Sequence, residues 1–360
     1  HKGKTTMKLV NIDKKQWKRG LDSLRASYRL LGPVKEDTYY SFKELKKGEQ
    51  PDFSYLNTRL SPKSILFPQS EAIVEYSLDS RDEDHHIMKA IETDGTPRAV
   101  LGIRPCDAKA VTLVNLNFDT AEYKDPYWVK TLAATTFIGL ACDTPKSTCF
   151  CTSVGCGPYH EEGLDLLLAD EGEAYLVKIL TGKGENFLSA AGMDMVDEAT
   201  TLFNAKKEAA QAKITSSISV DNLKAQDILD LHGAPFWEEV SFACLNCGTC
   251  TYTCPTCWCF DLQDEIHGKS GKRFKNWDSC MFPLFTLHTT GHNPRGTKLQ
   301  LVRQRFMHKL KYFVDKYDQG IMCVGCGRCV NQCPVNIDIR KVCALMNDYK
   351  ADELACAVQE

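Results

Sequence analysis

The sequence has no apolar run of the roughly 18–20 residues that a membrane-spanning helix needs. Its first residues, His1–Val10, are basic and lack the apolar core of a secretion signal. Basic and acidic residues are nearly balanced, since 44 basic and 47 acidic residues give a formal net charge of -3. That balance does not favour nucleic acid or an anionic membrane as a partner. We therefore expect a cytoplasmic protein with no membrane span and no nucleic-acid partner.

Motifs for nucleotide binding and for hydrolysis are missing as well. No G-x-G-x-x-G follows a predicted strand, and no G-x-x-x-x-G-K-[ST] occurs. One short glycine pair, Gly182-Lys183-Gly184, is predicted to lie in a hairpin. We see no Ser-His-Asp pattern and no paired carboxylates, so the sequence predicts no catalytic residue and no substrate site on this chain.

Cysteine, in contrast, is abundant, with 18 residues in a chain of 360. Disulfides, zinc and iron–sulfur clusters are the three explanations for so many thiols. Disulfides belong to oxidising compartments, and the sequence shows no secretion signal. The cysteines are therefore interpreted as metal ligands.

Two copies of one cysteine pattern, C-x2-C-x2-C-x3-C-P, occur in the C-terminal third. The first comprises Cys244, Cys247, Cys250, Cys254 and Pro255, and the second Cys323, Cys326, Cys329, Cys333 and Pro334. This is the run of two-cluster ferredoxins, whose fourth cysteine binds the other cluster. Structural zinc sites use pairs of C-x2-C instead. The pattern predicts two [4Fe–4S] clusters.

The exchange of the fourth cysteine gives the expected ligands of each cluster. Cluster 1 would take Cys244, Cys247, Cys250 and Cys333, and cluster 2 would take Cys323, Cys326, Cys329 and Cys254. The long segment between Cys254 and Cys323 carries a helical stripe from Val302 to Tyr317. That segment favours an α-helical ferredoxin-like arrangement over the compact β-rich ferredoxin. Basic residues interspersed in the stripe (Arg303, Arg305, Lys309 and Lys311) are expected to be solvated.

The N-terminal part has mixed α/β patterns. An amphipathic helix is predicted over residues 13–31, with Asp13 as its N-cap and Gly32-Pro33 as its end. Buried strands are predicted at Ala99–Ile103, Phe137–Ala141 and Ala174–Leu180.

Two of these strands end close to a cysteine. Cys106 follows the first, where Asp107 is expected to cap a helix, and Cys142 follows the second. The two strand ends predict one site at the edge of a sheet.

The predicted fold class is α+β, with a domain boundary near residue 235. Residues 1–235 form an N-terminal mixed α/β domain with a further [4Fe–4S] site. Residues 236–360 form a C-terminal α-helical ferredoxin-like domain with two clusters, since the cysteine density rises sharply after Phe242.

Other cysteines remain open. Local spacing alone leaves Cys106, Cys142, Cys149, Cys151 and Cys156 as either ligands or buried inert thiols. Cys257, Cys259 and Cys280 either pack beside a cluster or serve a further one, with packing as the default. Cys343 and Cys356 are interpreted as free thiols. No histidine is assigned as a ligand.

Several motifs together resemble one family. They are Gly102-Ile103-Arg104-Pro105-Cys106-Asp107, Cys142-x6-Cys149-Phe150-Cys151-Thr152-Ser153, Cys254-Pro255-Thr256-Cys257, Trp277-Asp278-Ser279-Cys280 and Gly291-His292-Asn293-Pro294-Arg295. The chain resembles, from about Met7 to Cys333, the dicluster iron–sulfur subunits of multisubunit reductases. These are the dicluster subunit of anaerobic sulfite reductase, the beta subunit of soluble nickel–iron sulfhydrogenases, and the related subunit of flavin oxidoreductases that accompany heterodisulfide reductase.

The resemblance implies a third [4Fe–4S] cluster on Cys106, Cys142, Cys149 and Cys151, with Cys156 as the alternative ligand. It also implies FAD on a partner subunit that oxidises NAD(P)H, and electron relay to a terminal reductase, hydrogenase or heterodisulfide-reductase-type subunit. The alternatives are an oxidoreductase with its own flavin, an iron–sulfur redox sensor and a zinc-bound scaffold.

Overall fold

The computed structural model describes residues 8–198 and 200–351. The strands are β1 (Lys8–Asp13), β2 (Arg29–Lys35), β3 (Tyr40–Glu44), β4 (Ser70–Ser77), β5 (Lys89–Ala90), β6 (Arg98–Ile103), β7 (Thr135–Leu140), β8 (Leu166–Asp170), β9 (Ala174–Ile179), β10 (Val196–Asp197), β11 (Phe260–His267) and β12 (Ser270–Trp277). The α-helices are α1 (Lys14–Leu24), α2 (Pro105–Phe118), α3 (Pro126–Ala133), α4 (Gly182–Ala190), α5 (Thr200–Ala212), α6 (Ile228–Gly233), α7 (Phe236–Phe242), α8 (Thr249–Tyr252), α9 (Lys298–Met307), α10 (Phe313–Tyr317), α11 (Arg328–Asn331) and α12 (Ile339–Asn347). Short 3-10 helices lie at Pro62–Ile65 and Cys151–Val154, and a π-helical turn, His308–Tyr312, joins α9 to α10.

These elements fall into two compact units, each assembled from separate stretches of sequence. The first unit takes its described residues from His1–Pro62, Gly95–Ile218 and Cys323–Arg328. The second takes them from Lys63–Asp94, Ser219–Met322 and Cys329–Glu360. The predicted domains meet at residue 235, whereas each unit is assembled from three stretches of sequence. Residues 63–94 and 219–235 belong to the second unit, and residues 323–328 belong to the first.

The first unit is built on an eight-stranded mixed sheet of order β10-β1-β9-β8-β7-β6-β2-β3. Its central strands β2, β6, β7 and β8 are parallel, and the remaining pairs are antiparallel. Every residue of β7 is buried, as the near-continuous apolar runs of central parallel strands require. The predicted strands at 99–103, 137–141 and 174–180 are confirmed as β6, β7 and β9.

The parallel pairing of β6 with β7 positions two cysteines. Leu101 pairs with Ile138, so the carboxyl ends of both strands reach the same edge of the sheet. Cys106 lies in the first turn of α2, directly after β6, and Cys142 lies just beyond β7. Ligand sites of open α/β sheets occur at this edge.

The predicted helix over residues 13–31 is wrong in its second half. Asp13 is the N-cap, and its carboxylate accepts from the backbone N–H of Lys15 (2.8 Å) and of Gln16 (3.2 Å). The helix ends at Leu24, however, and Gly32-Pro33 lies inside β2. Apolar residues three and four apart fit a helix, but the alternation around buried Leu30 fits a strand equally well. Pairing of β2 with β3 and β6 decides between them.

Two smaller predictions also fail. Asp107 does not cap α2, because Arg104 occupies the N-cap and Pro105 the first helical position. Gly182-Lys183-Gly184 begins α4 rather than a hairpin, with the Thr181 hydroxyl accepting from Gly184 N (3.3 Å). The glycine is needed there for packing, since a Cβ on Gly184 would lie 2.3 Å from the Asp165 carbonyl oxygen.

The second unit contains an antiparallel sheet of order β11-β12-β4-β5. The β11–β12 hairpin was not predicted from the sequence. Apolar Phe260, Leu262 and Ile266 alternate with polar residues in β11, but seven of its eight residues are exposed. The helical stripe from Val302 to Tyr317 is confirmed as α9, the π-helical turn and α10. No helix within residues 8–198 and 200–351 is long and apolar enough to cross a membrane.

Candidate iron–sulfur centres

The first candidate centre is a cavity in the first unit. Four cysteines line it together, namely Cys106, Cys142, Cys149 and Cys151, and Cys326 contributes to the same wall. Cys156 does not line this cavity, and its thiol donates to its neighbour's carbonyl, Gly157 O (3.9 Å). The structure thus brings together the four cysteines that the family resemblance implies. That they bind a cluster remains a prediction.

The cysteine loop of this cavity packs tightly on the segment Cys323–Arg328. Phe150 N donates to Gly325 O (2.9 Å), and the Cys149 thiol donates to Cys326 O (3.9 Å). Gly325 has a φ of +64°, and a Cβ there would lie 2.5 Å from Cys151 N. Glycine is required at this position, because both the left-handed backbone and the close approach exclude a side chain.

Arg104 fixes the carboxyl end of β7 beside the same cavity. Its guanidinium donates to Ala141 O (2.6 Å) and to Tyr55 O, and it stacks 4.3 Å from the centre of the Tyr55 ring. Burial raises the pKa of Cys142, and the positive charge of Arg104 opposes that rise. The arginine therefore supplies positive charge close to a candidate ligand.

A second arginine anchors the segment that carries Cys326. Arg328 is 2% exposed and forms a bidentate pair with the Asp107 carboxylate at 2.5 and 2.7 Å. It also donates through Nε to Thr58 O (3.1 Å). The pair joins α2, whose first turn carries Cys106, to the residue that follows Gly327. Charge-assisted bidentate bonds of this kind fix geometry strongly.

Burial disfavours the thiolate form of the cysteines around this cavity. Burial raises the pKa of Cys106, Cys149 and Cys151 above the usual range of a thiol. A buried thiol of this kind becomes a thiolate when a metal replaces its proton. The buried, sulfur-lined cavity with two nearby arginines fits an iron–sulfur cluster, which carries net negative charge.

The second candidate centre is a cavity in the second unit, and it gathers all four cysteines predicted for cluster 1. Its wall includes Cys244, Cys247, Cys250 and Cys333. Two backbone N–H groups point at these sulfurs: Asn246 N donates to Cys244 Sγ (3.4 Å), and Ile337 N donates to Cys333 Sγ (3.2 Å). Such N–H···S bonds stabilise thiolate charge and tune cluster potentials, so the residues fit the predicted cluster.

The four cysteines predicted for cluster 2 are divided between the units. Cys323 and Cys326 belong to the first unit, and Cys254 and Cys329 to the second. Within the second unit, Cys254 and Cys329 interact electrostatically with each other and with Arg305. The Cys254 sulfur also lies 3.2 Å from Thr256 Oγ1. This ligand set remains a prediction.

Three buried cations in the second unit were not expected from the sequence. Arg305, Lys309 and Lys311 are only 4%, 3% and 3% exposed, so the expectation of solvated side chains is wrong for these three. Lys309 Nζ donates to Thr256 Oγ1 (2.7 Å) and Met322 O (3.2 Å). The sequence signal for this burial is that Arg305 and Lys309 each directly precede an apolar residue of the stripe. The helix is buried on more than one face, so these neighbouring positions are buried as well.

All 17 cysteines in the described part of the chain are free of disulfides, and Cys356 lies outside it. No group of three or more His, Cys, Asp or Glu side chains in residues 8–198 and 200–351 is arranged to hold a single metal ion. Cys343 is buried, and its thiol donates to Ser219 O (3.6 Å), as expected for a packed thiol.

Replacing Arg305 by glutamine should lower the reduction potentials of the clusters predicted on Cys250 and on Cys254 with Cys329. A buried cation at this position stabilises an added electron, and its loss should cost on the order of 50–100 mV. Redox titration followed by EPR measures the change.

Arg303→Gln is the matched control for this prediction. Arg303 lies on the same helix but donates only to His232 O (2.8 Å) at the surface. Equal shifts in the two variants would contradict the assigned role of Arg305.

Comparison with known proteins supports iron–sulfur clusters in the C-terminal part of the chain. A family model described as a 4Fe-4S dicluster domain matches residues 243–337. Sulfhydrogenase 2 subunit beta of Pyrococcus furiosus is 30% identical over 343 residues, which cover 93% of this chain and 97% of that protein. No solved structure matches the chain. The likeness spans both units, and the chain belongs to the family of dicluster iron–sulfur subunits that includes the sulfhydrogenase beta subunit.

Proposed function

We propose that this chain relays electrons between a flavin-containing subunit that oxidises NAD(P)H and a terminal reductase, hydrogenase or heterodisulfide-reductase-type subunit. The observation that carries the proposal is the pair of cavities, one in each unit, that each gather four predicted ligand cysteines. Bound clusters would supply one-electron oxidation and reduction. FAD is assigned to the partner, because this chain has no nucleotide-binding motif.

In this proposal the chain itself holds and tunes the centres. Arg104, Arg305 and Arg328 are buried at 6%, 4% and 2% exposure and lie among the predicted ligands. Buried cations and N–H···S bonds favour the reduced, more negative state of a cluster.

Cluster 1 is the proposed point of exchange with a partner. Cys247 is exposed, whereas Cys254 and Cys326 are buried. Leu245 lines the same cavity and is 64% exposed. An exposed cysteine beside apolar surface allows close approach of another protein, and electron transfer requires such approach.

Iron and acid-labile sulfide analysis of the anaerobically purified chain tests the ligand assignment. The three predicted clusters account for about twelve irons. We expect Cys142→Ser with Cys149→Ser to remove about four irons, and Cys244→Ser with Cys250→Ser to remove another four. Cys343→Ser, which alters a packed thiol away from both cavities, should remove none. If the double variant Cys142→Ser, Cys149→Ser kept its full iron content, these cysteines would be ordinary buried thiols and not cluster ligands.

Stopped-flow spectroscopy tests the relay itself. NAD(P)H alone should leave the clusters of the isolated chain oxidised, and addition of a catalytic amount of the flavin subunit should bleach them. Steady NAD(P)H oxidation by the isolated chain would contradict the proposal and favour an oxidoreductase with its own flavin.

A further inference from the structure

One buried threonine of the second unit lies directly against a predicted cluster ligand. Thr256 is 1% exposed, and its hydroxyl oxygen lies 3.2 Å from the sulfur of Cys254. The two residues are separated only by Pro255, which closes the first cysteine motif. A hydroxyl has one proton to donate and two lone pairs that accept. The other partners of this hydroxyl therefore decide whether its proton reaches the sulfur.

Lys309 is the second partner of the Thr256 hydroxyl. It is 3% exposed, and its Nζ donates to Thr256 Oγ1 (2.7 Å) and to Met322 O (3.2 Å). An ammonium group cannot accept a hydrogen bond, so it occupies a lone pair of the hydroxyl and leaves the hydroxyl proton available. Lys309 lies in the π-helical turn His308–Tyr312, and its carbonyl oxygen accepts from Met322 N (2.9 Å). Two bonds to Met322 thus hold the lysine in place.

Two acceptors compete for the Thr256 proton. Met322 O lies 2.9 Å from Thr256 Oγ1, and the Cys254 sulfur lies 3.2 Å from the same oxygen. The carbonyl is neutral and already accepts from Lys309, whereas a cysteine that binds a metal centre is a thiolate. Hydrogen bonds to an ionised acceptor are roughly twice as strong as those between neutral groups. The proton should therefore point at the sulfur when the cluster is bound.

We propose that the Thr256 hydroxyl donates to the cluster-bound thiolate of Cys254 and thereby raises the reduction potential of cluster 2. Lys309 is the positioning residue that holds the hydroxyl in this orientation. The inference rests on the relay proposed above and on Cys254 as a ligand. Reduction adds negative charge to the cluster and its sulfurs, so the O–H···S bond is stronger in the reduced state. The hydroxyl turns toward the sulfur, and no proton is transferred.

Redox titration of the full chain, followed by EPR, tests this inference in the variant Thr256→Val. The signal of cluster 2 is the one that Cys329→Ala removes. Valine keeps the shape of threonine but cannot donate. At a fixed potential the ratio of reduced to oxidised cluster 2 should fall about three- to tenfold, which corresponds to roughly 30–60 mV for one electron. Thr256→Ser retains the hydroxyl and should keep the potential of the unaltered protein.

Thr253→Val is the matched control. Thr253 directly precedes Cys254 and is 3% exposed, but its hydroxyl donates to Thr249 O (2.9 Å). Its loss should leave the potential of cluster 2 unchanged. Equal shifts in the two valine variants would overturn the inference. So would the loss of about four irons from Thr256→Val, because the threonine would then be required for cluster assembly.

Lys309→Met tests the orientation of the hydroxyl separately. Without the ammonium group the hydroxyl can turn to Met322 O at 2.9 Å. Adding Thr256→Val to Lys309→Met should therefore change the potential much less than Thr256→Val does alone. Equal effects of Thr256→Val in both backgrounds would contradict the role of Lys309.

Iron analysis separates failure of this inference from failure of the relay proposal. About eight irons and no cluster 2 signal in the unaltered chain would overturn the cluster assignment of the relay together with this inference. About twelve irons, with the same potential in Thr256→Val as in the unaltered chain, would overturn this inference alone.

Discussion

Replacing Arg328 by methionine should lower the free energy of unfolding by about 3–5 kcal/mol. The change leaves the Asp107 carboxylate, 2% exposed, without its bidentate partner. It also leaves Thr58 O without the bond from Arg328 Nε (3.1 Å). A buried charge that loses its partner is among the most destabilising of single changes, because its desolvation is no longer compensated. The thermal midpoint of the loaded protein, followed by circular dichroism, should fall by at least about 6 °C.

Arg340→Met is the matched control. Arg340 pairs with Asp338 at 2.5 Å, the same distance as in the buried pair, but its side chain is 25% exposed and that of Asp338 is 26% exposed. Such a pair contributes about 0–1 kcal/mol. Equal losses in the two variants would show that burial does not set the strength of the Arg328 pair.

A double variant separates charge from packing. Asp107→Leu combined with Arg328→Met removes both charges and should recover a large part of the loss, since hydrophobic replacement of a buried ion pair is often neutral. Iron content measured in parallel reports whether the two centres predicted to use Cys106 and Cys326 still assemble. A double variant less stable than Arg328→Met would contradict this account.

The sequence reveals most about the parts of the sites that depend on local pattern. The cysteine spacing from Cys244 to Pro255 predicts a ligand-bearing loop in that segment. The apolar runs that end near Cys106 and Cys142 predict the strands that lead to these two cysteines. These inferences succeed because cysteine spacing and strand periodicity are properties of short segments.

Contacts between residues that are far apart in the chain could not be predicted from the sequence. The segment Cys323–Arg328 belongs to the first unit because Gly325 and Arg328 contact residues 150–151 and Asp107, far away along the chain. The hairpin β11–β12 was equally unexpected, since β11 is almost wholly exposed and is held by its pairing with β12, which in turn pairs with β4. Its open end, where Asp278 N donates to Cys259 O, brings Cys259 and Cys280 close together, which explains why spacing alone left those cysteines unassigned.

Gly325→Ala should abolish the cluster predicted on the first unit. At a φ of +64° an added Cβ would lie 2.5 Å from Cys151 N and 2.6 Å from Cys151 Cα. These are backbone atoms, so no side-chain rotation relieves the clash. The loop that carries Cys149 and Cys151 must move away, and the four cysteines then no longer share one cavity. Iron content should fall by about four per chain.

Gly320→Ala isolates the backbone contribution to this effect. Gly320 has a φ of +74°, and a Cβ there meets no atom within 4 Å. It should cost only the roughly 1–2 kcal/mol of a left-handed alanine, with full iron content. If Gly325→Ala kept all its iron and lost no more stability than Gly320→Ala, the close approach of Gly325 to Cys151 would not be needed to hold the centre. Loss of iron in Gly325→Ala alone would show that the second ferredoxin motif also shapes a site formed by cysteines of the N-terminal domain.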